Sequence, residues 1–161
     1  LKAANFGISA DRTQHVLWRI GNGTLEGIKP KVVVLLIGTN NTGLERNSTT
    51  PRNSTAEAIE GVKAVVRALR DRLPESRLLL LAIFPRGEPS DPARAQIAEI
   101  NAALAGLHDG RAVTFLDIND RFLAADGSIP KDVMPDLLHP GEKGYEIWAA
   151  AMKDTLARLL R

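Results

Sequence analysis

Six consecutive aliphatic residues, Val32-Val33-Val34-Leu35-Leu36-Ile37, constrain this chain more than any other feature. Four of them are β-branched and favour extended backbone. A strand that is apolar on both faces must be covered on both faces, as in a parallel sheet with helices above and below. Leu78 to Ile83 repeats the pattern, and Val113 to Leu116 is a shorter version. Ala3 to Ile8 reads as one more short strand, ending at Gly7.

Between these runs the apolar period changes to that of helices. Asp11 with Gln14 has the spacing of a capping box and predicts a helix over Arg12 to Ile20 that buries Val16, Leu17 and Ile20. Ser54 with Glu57 predicts a second, whose inner stripe is Ile59, Val62, Val66, Leu69 and Leu73, with Pro74 as its stop. Asp91 before Pro92 opens a third, lined by Ile97, Ile100, Leu104 and Leu107. A fourth is expected from Lys143 to Leu160, with Tyr145, Trp148, Met152, Leu156 and Leu159 inward. The alternation defines a doubly wound α/β chain, a three-layer α/β/α sandwich with a parallel sheet. Ligands in such sheets sit beyond the carboxyl ends of the strands, so the loops after Ile8, Ile37, Ile83 and Leu116 are where chemistry is expected.

Composition removes several alternatives. The 21 basic and 19 acidic residues nearly cancel and are scattered, which gives no patch for nucleic acid or an anionic membrane. With no cysteine there is no disulfide, thiolate metal site or cysteine nucleophile, and the compartment is left open. No apolar run approaches the roughly 20 residues of a membrane span.

Three segments can carry chemistry. In Asp136-Leu137-Leu138-His139-Pro140 a carboxylate can bend back to accept the Nδ1–H of an imidazole three residues on, leaving Nε2 as a base. Alone, such a pair is a weak signal that reads more readily as plain surface. In Gly38-Thr39-Asn40-Asn41 an asparagine amide at a strand's end can donate to a developing oxyanion, or the segment is simply a turn. In Asn5-Phe6-Gly7-Ile8 the glycine leaves its N–H open to a ligand, or serves a tight connection. Together they supply a base, its orienter and two oxyanion donors at one edge of the sheet. Arg86, after the Leu78–Ile83 strand, reads either as a substrate contact or as a loop pin; His15 and His108 read as structural or solvated.

These segments resemble the SGNH (GDSL-type) hydrolase family, most of all its platelet-activating-factor acetylhydrolase branch and that branch's bacterial relatives. The likeness lies in NFGISADRTQHVLWRIGNGTLEGIKPKVVVLLIGTNN, FPRGEPSDPARAQIAEIN and DLLHPGEKGYEIWA, and runs over nearly all of the chain. The resemblance implies a flavodoxin-like fold, a single domain over residues 1–161, and hydrolysis of small acyl esters such as acetyl esters through an acyl-serine, with no metal or cofactor. It gives His139 as general base, Asp136 as its orienter, and Gly7 and Asn40 as oxyanion donors.

The family's nucleophile is the serine of a Gly-Asp-Ser block, and that block does not occur here. Of Ser9, Ser48, Ser54, Ser76, Ser90 and Ser128, only Ser9 lies near the inferred site, where it reads as a loop hydroxyl. The nucleophile is therefore expected upstream of Leu1, on a first strand and helix that pair between Ala3–Ile8 and Val32–Ile37. Completion by another chain in a homo-oligomer is the other way to fill that space. The competing function is non-catalytic: a fragment or pseudoenzyme that binds an ester, a glycan or a partner chain. A flavodoxin-like ligand-binding domain is a third, without a phosphate-cradling loop to support it.

Overall fold

A computed structural model describes residues 2–45 and 47–161. Its strands are β1 (Val32–Leu35), β2 (Arg77–Leu81) and β3 (Val113–Leu116), its helices α1 (Thr13–Gly21), α2 (Thr55–Arg72), α3 (Pro92–Ala105) and α4 (Glu142–Leu159). The three strands form one parallel sheet in the order β1-β2-β3, with Leu78 opposite Val33 and Val113. Crossovers of one hand that step in one direction put their helices on one face. Leu78 and Leu80 accordingly pack with Val62, Val66, Ile97 and Ile100 of α2 and α3, with α1 behind α2. The alternate residues Leu79 and Leu81 face the other way, against Leu159, Trp148 and Met152 of α4. That two-sided burial explains the unbroken apolar runs and gives the expected α/β/α layers.

Several boundaries differ from expectation. Ala3 to Ile8 forms no strand; it is an exposed coil, with Ile8 58% accessible, because no strand among the described residues offers it a ladder. The apolar run at 32–37 stops pairing at Leu35, since Gly38 turns the chain at φ 122°. The run at 78–83 ends at Leu81, and the backbone of Ile83 is instead met by Asn101 of α3, whose amide accepts from its N–H (2.8 Å) and donates to its C=O (2.9 Å). Helix α1 starts at Thr13 without the Asp11–Gln14 box; Asp11 is engaged by the Arg19 guanidinium. The Ser54–Glu57 box and the Asp91–Pro92 start are both present. On α4, Tyr145 points outward and stacks on Trp148, which turns its edge into the core against Phe84.

The two edges of the sheet are unlike. Along β3, His108 Nδ1 accepts the N–H of Phe115 (3.2 Å) and Asp109 Oδ1 accepts those of Arg111, Ala112 and Val113, so the loop before the strand guards its outer side. His108, exposed just past the end of α3, thus also caps the strand edge. Among the described residues nothing hydrogen-bonds to the outer side of β1. Val34, in the middle of that strand, is 40% exposed on the face that α4 only partly covers. No described helix is long and apolar enough to cross a membrane.

Candidate active site

The loop over residues 130–141 carries the candidate pair Asp136 and His139 and is fastened by its own backbone. Val133 and Met134 donate to the Pro130 carbonyl, Leu137 donates to Met134 (3.0 Å), and Gly141 donates back to Val133 (2.9 Å). Gly144, in the first turn of α4, lies so close that a Cβ there would come within 2.5 Å of the Val133 oxygen. At the tip, Leu137 adopts left-handed backbone, φ 59°, an uncommon conformation for a branched side chain that a surrounding structure must hold in place. That bend returns the Asp136 carboxylate to the residues that follow. Its Oδ1 accepts the N–H of Leu138 (3.1 Å) and of His139 (2.7 Å), and its Oδ2 lies 2.7 Å from His139 Nδ1.

An ionised carboxylate at Nδ1 assigns the proton to that nitrogen and leaves the Nε2 lone pair outward. The ring hydrogen bond first, and then the backbone N–H groups, hold the Asp136 carboxyl down at about 2, below its usual 3.8. Both side chains are open to solvent, His139 at 74% and Asp136 at 56%. Nε2 has no hydrogen-bond partner among the described residues.

The turn after β1 is built so that its two asparagines do different jobs. Gly38 starts it with a Cβ position only 2.6 Å from Ile83 Cδ1, which leaves room for no side chain. Thr39–Asn41 then form a single 3-10 turn. Asn41 is almost fully buried: its Oδ1 accepts the N–H of Thr13, and its Nδ2 reaches Thr13 Oγ1, Gln14 Oε1 and Asn53 Oδ1 at 2.9–3.2 Å. Asn40 uses one Nδ2 proton on the Asp11 carbonyl (3.0 Å), and its other Nδ2 proton has no partner among the described residues. Sequence reasoning missed Asn41, which has no local signal.

Gly7 belongs to the same network by a longer route. Arg19 donates to the Phe6 carbonyl (2.8 Å) and to Asp11, and Asp11 accepts from Asn40, so residues 6–11 are laced to the Asn40 turn. The single N–H of Gly7 is taken by the side chain of Asn5 (2.8 Å). The structure therefore joins Asp136 to His139 and links Gly7 to Asn40, with no hydrogen bond between the two sets among the described residues. Arg86 pins a loop, its Nη1 donating to the Thr39 carbonyl (3.3 Å). None of the six serines hydrogen-bonds to His139. Ser54 caps α2, Ser76 donates to Pro30 and Ser128 to Asp126, while Ser9 lies exposed in a turn where Ala10 has φ 65°.

A parallel sheet between helical layers, with an Asp–His pair and an asparagine turn on its carboxyl rim, is the arrangement of the SGNH/GDSL hydrolase fold. The chain belongs to the GDSL-like lipase/acylhydrolase family, whose model matches residues 1–147. It is 41% identical over 165 residues to the platelet-activating factor acetylhydrolase IB subunit alpha1 of Homo sapiens, an alignment covering 99% of this chain and 66% of that protein. To subunit alpha2 of Rattus norvegicus it is 38% identical, with the same coverage. The chain thus spans 66% of the length of these relatives. A Streptococcus pneumonia structure described as a platelet activating factor aligns with a TM-score of 0.77 at 25% identity, over 95% of this chain and 72% of that one. An acetylxylan esterase from Geobacillus stearothermophilus shares the fold, with a TM-score of 0.75 at 19% identity over 98% and 71% of the two chains.

Proposed function

We propose that this chain supplies the acid–base pair and the oxyanion donors of a serine ester hydrolase acting on small acyl esters, acetyl esters first among them. The observation that carries the reading is the Asp136–His139 pair, locked at 2.7 Å with Nε2 turned outward. In the reaction a serine Oγ attacks the ester carbonyl as Nε2 takes its proton. The carbonyl oxygen becomes an oxyanion, which accepts from the second Nδ2 proton of Asn40 and from the N–H of Gly7, released from Asn5. Collapse breaks the ester C–O bond, and the alcohol leaves with the proton from Nε2. A water then hydrolyses the acyl-serine by the same steps. Asp136 keeps the ring in the Nδ1–H tautomer and balances the imidazolium. The acetyl preference rests on the names of the relatives.

The nucleophile arrives, on this reading, on a strand that pairs with the unguarded edge of β1. The exposed Val34 and the free backbone groups of that edge support it. The open exposure of the Asp–His pair, with no serine at Nε2, favours a second reading in which the site binds an ester without cleaving it. Hydrolysis of p-nitrophenyl acetate by the protein from its natural reading frame, compared with its His139→Ala variant, decides between them. A rate well above background that the variant abolishes supports the hydrolase; equal background rates refute it.

A further inference from the structure

The segment between β2 and α3 touches both halves of the site. Arg86 reaches the turn of Asn40 through the Thr39 carbonyl (3.3 Å). One residue later, Gly87 donates its N–H to the carbonyl of Leu137 (2.8 Å), the left-handed residue that folds Asp136 back onto His139. Gly87 is itself left-handed, φ 67°, and a Cβ there would collide with the carboxylate of Asp91, the cap of α3. Arg94, on the first turn of that helix, donates Nε to the Arg86 carbonyl (2.8 Å) and Nη2 to the carbonyls of Gly87 (3.0 Å) and Gly127 (3.3 Å). One guanidinium rooted in a helix thus holds the carbonyls of both residues through which the segment meets the two site loops.

We propose that Arg86, Gly87 and Arg94 form a strut that sets where the Asp136–His139 loop stands relative to the Asn40 turn. Arg86 and Arg94 are positioning residues, and their consequence for catalysis rests on the hydrolase reading above. The fork of Arg94 is what the role needs: three carbonyls in two directions match a rigid guanidinium and not a single ammonium. The strut makes no part of the hydrophobic core, so its loss leaves the layers intact and frees the loops. A displacement of about 1 Å at reacting groups costs on the order of 10²-fold in rate.

The test compares Arg86→Ala, Arg94→Ala and Arg94→Lys with the parent by backbone amide NMR on the full chain. Among the described residues the side chain of Arg86 hydrogen-bonds only to the Asn40 turn, through the Thr39 carbonyl. The strut requires Arg86→Ala to shift the amides of Leu138 and His139 as well as those of Asn41 and Thr42, and Arg94→Lys to resemble Arg94→Ala. Shifts from Arg86→Ala confined to residues 39–42, or recovery of the parent spectrum by Arg94→Lys, overturn it. If the parent hydrolyses p-nitrophenyl acetate, Arg94→Ala is expected to lower kcat by about 10- to 100-fold at nearly constant KM, and an unchanged kcat overturns the role. If the parent is inactive, the hydrolase reading fails alone, and the amide shifts still decide the strut.

Discussion

The side-chain oxygen of Asn41 accepts the backbone N–H of Thr13 at 3.0 Å, although the two residues lie 28 apart in sequence. The first turn of α1 is thereby capped from the β1 loop, and the turn that presents Asn40 is tied to a helix. Adjacent asparagines should therefore fail in opposite ways. Asn41→Ala leaves a buried N–H unpaired and is expected to cost about 2–4 kcal/mol, a Tm loss of roughly 5–10 °C by thermal unfolding. Asn40→Ala should leave Tm nearly unchanged and lower esterase kcat by roughly 10²–10³-fold. Equal Tm losses for the two would contradict the division of roles.

The Asp136 carboxyl gives the loop a defined acid limit. Its folded pKa of about 2 lies below the ordinary 3.8, so its stabilising contribution is complete above about 3.8 and is lost as the pH falls through about 2. Carboxyl-carbon NMR of Asp136 should show a midpoint near 2, together with loss of the His139 amide shift. A midpoint near 3.8 would mean that the pair is not formed in solution.

Asp136→Asn should preserve the fold and reverse the tautomer. The backbone N–H groups of Leu138 and His139 would retain the side-chain oxygen, turning the amide NH2 toward Nδ1. Nδ1 then becomes an acceptor and Nε2 carries the proton, the wrong way round for a base. Nitrogen-15 shifts of the His139 ring report this directly, and esterase activity is expected to fall by about 10³- to 10⁴-fold. Retention of the Nδ1–H tautomer would sink the argument.

Gly38 allows a test of the close approach under the site. Gly38→Ala places a methyl 2.6 Å from Ile83 Cδ1 at φ 122°, and should cost about 3 kcal/mol in urea unfolding. Adding Ile83→Val removes the colliding atom and should recover about 1 kcal/mol, although Ile83→Val by itself destabilises. Strict additivity of the two would show that backbone strain, not the collision, sets the cost.

What the sequence made legible was whatever its neighbours decide. The Ser54–Glu57 cap, the Asp91–Pro92 start, the two-faced strand of β2 and the Asp136–His139 contact all close within a few residues. The misreadings needed distant partners. Ala3 to Ile8 has the composition of a strand, but a strand exists only with a ladder beside it. Asp11 has the spacing of a cap, yet Arg19 claims its carboxylate and Asn41 caps the helix instead. Tyr145 falls on an inward position by count, and stacking on Trp148 keeps it outside. Arg19 laces the Gly7 segment to the Asn40 turn, and Arg86 with Gly87 bridges that turn to the Asp136–His139 loop, by reaches that no local pattern encodes.

The unequal edges of the sheet have a consequence for self-association. Head-to-tail stacking of sheets, β1 of one copy on β3 of the next, would repeat without end and build fibres. His108 and Asp109 already occupy the far side of β3, so that repeat has no second surface to use. Among the described residues the sheet can therefore lengthen only beyond β1, the edge that the proposed nucleophile strand would take, and its growth is one-sided.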